Sequence, residues 1–152
     1  MANTTGRKVR TAMWITALIM GALAGGQALM TASGAKRPAE TEFGLGPRAS
    51  ANGMFIAMLV PEEPLRVRKM QSLTVVITDR NMHPIDEAQI TIDGGMPQHR
   101  HGLPTRPHVT GHTGGGVYAI DGVRFNMGGW WEFKVSIATP GGTDVVTFNL
   151  HL

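Results

Sequence analysis

Apolar and polar residues alternate through most of the chain after Asn52. In "WEFKVSI", Trp131, Phe133, Val135 and Ile137 fall on one side, and Glu132, Lys134 and Ser136 on the other. In "VTFNLHL", Val146, Phe148, Leu150 and Leu152 share a face opposite Thr147, Asn149 and His151. "LTVVIT" groups Leu73, Val75 and Ile77, and "AQITI" groups Ala88, Ile90 and Ile92. A period of two marks a half-buried strand, because successive side chains point to opposite faces. "MFIAMLV" is apolar on both faces, which predicts a central strand with Met54 and Met58 in the core. "VYAI" and "VRF" are shorter strand candidates.

Turn-forming residues separate these runs: Pro61 to Pro64, Asn81 to Pro84, Gly114 to Gly116, Asp121-Gly122, Gly128-Gly129 and Pro140 to Gly142. No helix-period segment follows Lys36. The pattern predicts an all-β body over residues 52–152, an immunoglobulin-like antiparallel β-sandwich of about seven strands.

The first 35 residues read differently. Residues 1–10 carry Arg7, Lys8 and Arg10, and residues 11–30 are almost wholly apolar and uncharged. "TASGA" then supplies small residues at Ser33 and Ala35, the spacing of a signal-peptidase site. The segment predicts an N-terminal hydrophobic helix, either a cleaved signal peptide or a membrane anchor, since twenty apolar residues just span a bilayer. In both cases the positive flank stays in the cytoplasm. The body is therefore expected in the periplasm or on the extracytoplasmic face of the membrane. Residues 36–51, with two prolines and two glycines, read as a linker.

Composition narrows the chemistry. The chain has 14 basic residues. Setting aside Arg7, Lys8 and Arg10 leaves 11, against 11 acidic ones, so the body is neutral. It lacks the basic patch of a nucleic-acid binder. There is no cysteine, which excludes disulfides, thiolate metal sites and a cysteine nucleophile. No nucleophile elbow, carboxylate pair or phosphate loop appears, and the body reads as non-enzymatic.

Candidate chemistry gathers at "MPQHRHG". His99 and His101 are two apart, so in extended chain their imidazoles share a face, and Met96 adds a thioether. A cysteine-free Met and His set suits copper, the thioether favouring Cu(I) and the imidazoles Cu(II). The bland alternative is a structural loop whose histidines bond to backbone. Met127 is a further candidate from a neighbouring strand end, weighed against a gap-filling core methionine. Weaker candidates are His108 and His112, and the pair Met82 and His83, which more readily form an exposed turn. Trp131 belongs to the apolar face, whereas Trp130 shares the Glu132 face and is expected to be partly exposed.

The stretch "MPQHRHGLPTRPHV", with "GGGVYAIDGVRFNMGGWWEFKVSI" after it and "TVVITDRNMHPIDEAQITI" before it, resembles the FixH-like and YtkA-like exported domains over residues 52–152. Met82-His83 departs from their pattern, which usually has Gly in that turn. The resemblance implies a β-sandwich outside the cytoplasmic membrane, often tethered by one N-terminal helix and in some relatives associated with copper handling and oxidase assembly. The expected function is copper binding through Met96, His99 and His101, with buffering or delivery of the metal. The alternative is a metal-free interaction module that uses the His- and Gly-rich loop to bind a protein partner in the membrane or periplasm.

Overall fold

The period-two runs become two antiparallel sheets stacked face to face. The computed structural model describes residues 35–152. The expected leader helix falls, but for Ala35, outside them. Among the described residues the chain has one 3-10 turn, Glu40–Glu42, and nine strands. These are β1 (Arg48–Ala49), β2 (Phe55–Pro61), β3 (Met70–Asp79), β4 (Gln89–Met96), β5 (His101–Gly102), β6 (His108–His112), β7 (Val117–Arg124), β8 (Trp130–Thr139) and β9 (Gly142–His151). One sheet has the order β1-β2-β3-β7-β6, and the other β5-β4-β8-β9.

Register follows the hydrophobic pattern. Across β8 and β9, Trp131 faces Leu150, Phe133 faces Phe148 and Val135 faces Val146. Across β2 and β3, Leu59 faces Val75 and Ala57 faces Ile77. A slip of one residue would turn each of these sets to solvent. The two inner faces meet in one core in which Val75, Ile77, Ile120, Phe125, Trp131, Phe133 and Phe148 are fully buried. Phe125 meets Trp131 edge-on at 5.2 Å. Each such side chain contributes about 1.5–3 kcal/mol through burial.

Three local expectations change. "MFIAMLV" forms β2, but β2 lies next to the short β1 near the border of its sheet. Only its Phe55, Ala57 and Leu59 face the core, and Met58 is 37% exposed. Apolar residues on both faces therefore do not mark a central strand here. Asp121-Gly122 is no turn: β7 runs through it, with Gly122 at φ 81°. Trp130 is 5% exposed, and its Nε1 donates to Asn149 Oδ1 at 3.0 Å.

Residues 43–51, read as linker, are laid into the sandwich. Phe43 bridges Asn149 in parallel, and Gly44 N–H reaches the Asn149 carbonyl. Leu59 N–H then donates to Leu45 O, and β1 pairs with β2. The segment thus borders first one sheet and then the other. Its lack of period is what such a crossing segment shows, since neither of its faces stays inward.

Candidate functional site

The β4–β5 hairpin is built on close backbone packing. Met96 pairs with His101 and Gly95 with Gly102, and residues 97–100 turn between them. His99 N–H closes the turn on Met96 O at 3.0 Å, and Arg100 takes φ 54°. A Cβ on Gly95 would lie 2.5 Å from His101 O, and one on Gly94 would lie 2.6 Å from Glu132 O. Glycine at both positions is what lets β5 and β8 approach β4 there.

The hairpin carries His99 and His101 into solvent side by side. Their ring centroids are 6.1 Å apart and their planes 28° from parallel. An ion shared by two imidazoles, with metal–nitrogen bonds of about 2.0–2.1 Å, separates the ring centroids by up to roughly 6.4 Å. The observed spacing is within that reach. Among the described residues, no ring nitrogen of His99 or His101 takes part in a hydrogen bond, whereas three other histidines are engaged.

Met96 is buried where the imidazoles are exposed. It is 2% exposed, and its methyl lies where a Cβ on Gly129 would approach to 2.9 Å. It is the direct cross-strand partner of His101, so the two project from the same side of the hairpin ladder. On that shared side the thioether is buried inward, while His101 stands at the exposed rim. Met127 reaches the same end of the molecule in the β7–β8 loop, half-buried against the core. Its carbonyl accepts from Trp131 Nε1 at 3.0 Å. The core-filling role weighed against Met127 in sequence is the one its packing fits.

The remaining histidines do not join this group. His112 pairs with Tyr118 across β6 and β7, near the start of β7. The hairpin stands at the other end, where β7 leads into β8. The His112 Nε2 lies 3.0 Å from Asp86 Oδ1, and its ring stacks on Tyr118 at 4.5 Å. Asp86 also accepts from Gly116 N–H, which foremost holds its carboxyl below the usual range. His108 Nδ1 sits 3.3 Å from Arg106 O. His83 and Met82 form an exposed turn around Asp79, whose carboxylate accepts from the Asn81 and His83 N–H groups and contacts His83 Nδ1 at 3.1 Å. The His83 N–H foremost keeps the Asp79 carboxyl below its ordinary value.

Beside the hairpin runs a groove of about 440 Å³ over Gly94, Gly95 and Gly102, bordered by Asp93, Glu132 and Lys134. Glu132 and Lys134 are paired at 2.9 Å. Among the described residues no three His, Asp or Glu side chains converge as metal ligands. A site at the hairpin would therefore rest on the two imidazoles and a thioether. Sequence reading did not find β5 and β6, which hold His101, His108 and His112. Both are short, and neither shows alternating apolar residues.

The YtkA-like family model matches residues 49–136, more than half of the chain. No curated protein matches, and neither does any solved structure.

Proposed function

The chain belongs to the YtkA-like family, and from that premise we propose that it is an exported, non-catalytic module that binds copper at the β4–β5 hairpin. On this reading it is immunoglobulin-like and reaches the extracytoplasmic side through its N-terminal signal or anchor. There it buffers the metal or hands it on, in metal handling or oxidase assembly. His99 and His101 hold the ion through imidazole nitrogens, and Met96 offers its sulfur from the interior side. Copper would supply soft-ligand exchange between carriers.

The observation that carries this reading is the imidazole pair. Two solvent-facing rings stand 6.1 Å apart with free nitrogens, on a hairpin whose backbone is pinned by glycine contacts. Ring nitrogens of His83, His108 and His112 are occupied by Asp79, a backbone carbonyl and Asp86. A second reading, a metal-free docking module, is favoured by the groove beside the hairpin.

The test is titration of the purified protein with Cu(I) and with Cu(II), beside a variant carrying His99→Ala and His101→Ala. One tight equivalent is expected for the parent, and at least about tenfold weaker binding for the variant, or 1.4 kcal/mol. Affinity should fall on acidification, because imidazole binds metal only when neutral. Equal binding by both proteins removes these residues from the site. A folded parent that binds no copper leaves the docking reading.

A further inference from the structure

β4 has an unpaired backbone edge. It pairs with β8 along residues 89–95. On its other side β5 covers only Gly95 and Met96, and Leu103 N–H reaches Gly94 O. The Gly94 and Met96 carbonyls point away from β8, so by strand alternation the N–H and C=O groups of Ile90 and Ile92 do too. Among the described residues no strand takes these groups up.

The other edges are guarded. Residues 45–49 border β2. Phe43 and Ala51 contact the β9 backbone. β6 is broken by a register shift between Val109 and Gly111. Sheet edges are usually blunted by Lys, Pro, a bulge or a covering segment. The free stretch of β4, "QITID", has no Lys and no Pro, and its register with β8 is uninterrupted.

We infer that this edge docks a second copy of the chain, β4 against β4, antiparallel about a twofold axis at Thr91. The five residues are self-complementary in that register. Ile90 meets Ile92 of the second copy, and the reverse, so the edge-facing groups form hydrogen-bonded pairs. Gln89 meets Asp93, which places no like charges opposite each other. Thr91 meets itself on the exposed face, a favourable cross-strand pair. The pairing spans residues 89–93 only, because β5 already borders Gly95 and Met96 and the chain bends at Glu87. The pairing does not depend on copper.

The absence of cysteine makes a direct test available in the full chain. Thr91→Cys introduces a single thiol at the axis, where opposed Cβ atoms are about 4.5–5.5 Å apart. Met58→Cys, on the outer face of the other sheet, is the control. Oxidation, or a short bismaleimide, should give at least about tenfold more covalent dimer from Thr91→Cys than from Met58→Cys. Adding Ile90→Pro removes an edge-facing N–H without touching the ladder to β8, and should abolish the dimer while the melt stays cooperative. No covalent dimer from Thr91→Cys, equal yields from the two thiol positions, or a yield indifferent to Ile90→Pro in a folded protein would each overturn the inference.

Discussion

Asp144 clasps Asn52 from 92 residues away in the chain: its carboxylate accepts the Asn52 backbone N–H at 3.0 Å and the side-chain amide at 3.1 Å. The same carboxylate takes the Met54 N–H at 3.3 Å and its own neighbour's, Val145, at 2.8 Å. The turn before β2 is thereby fastened to β9, and the two sheets are joined at that end. Asp144 is 3% exposed, a burial tolerated because each lone pair meets a donor.

Burial alone would raise the Asp144 pKa. The Ser50 hydroxyl and the Val145, Met54 and Asn52 N–H groups outweigh it and hold the carboxyl at about 2. An unfolded Asp titrates near 3.9. The folded value is depressed, so the contribution to stability is full above about pH 4 and is lost as pH falls toward 2. Asp144→Asn is expected to lower the melting temperature at neutral pH and to flatten the acid limb between about pH 4 and 2. Melts across that window check it. An unchanged acid limb would place the acid sensitivity elsewhere.

Trp131 and Trp130 are adjacent, on opposite faces, and both buried. Trp131 lies in the core against Phe125, and Trp131→Ala should cost about 3–5 kcal/mol. Trp130→Phe keeps most of the ring but loses the bond to Asn149, a cost of about 1 kcal/mol. Urea unfolding of the two variants gives both figures, and the order of the two costs is the decisive result.

Met58 lies in an apolar run and Met96 in the polar "MPQHRHG", yet they are 37% and 2% exposed. Met96→Ala should destabilise by about 2–5 kcal/mol, and Met58→Thr by no more than about 0.5 kcal/mol. If Met96 is also a ligand, Met96→Leu should leave the melt within about 1.5 kcal/mol of the parent while weakening Cu(I) more than Cu(II). Chemical denaturation together with the two copper titrations separates packing from ligation.

Alternation alone determined that this chain is a two-sheet all-β body. Side chains of a half-buried strand must alternate, and β3, β8 and β9 carry that signature with few exceptions. His99 and His101 do stand together, though not as residues of an extended chain: His99 lies in the turn and Arg100 between them takes φ 54°. What alternation could not convey was whether an apolar face is covered. Ile56, Met58 and Val60 repeat like a core face, yet β2 lies near the sheet border and Met58 and Val60 stay exposed among the described residues. Trp130 shares the face of charged Glu132, yet the side chain of Asn149, a strand away, holds its indole out of water.

Met96 gives the sharpest division. Its thioether and the two nearby imidazoles were visible as a local ligand set, since spacing is a property of the chain. Its direction was not, because the side of the hairpin it occupies depends on the β4–β5 register and on the room left by Gly129, 33 positions later in the sequence. The His112–Asp86 contact and the clasp at Asp144 are of the same kind, with partners 26 and 92 residues apart. Local periodicity determines which face a residue occupies, but only the packing of distant strands decides what that face meets.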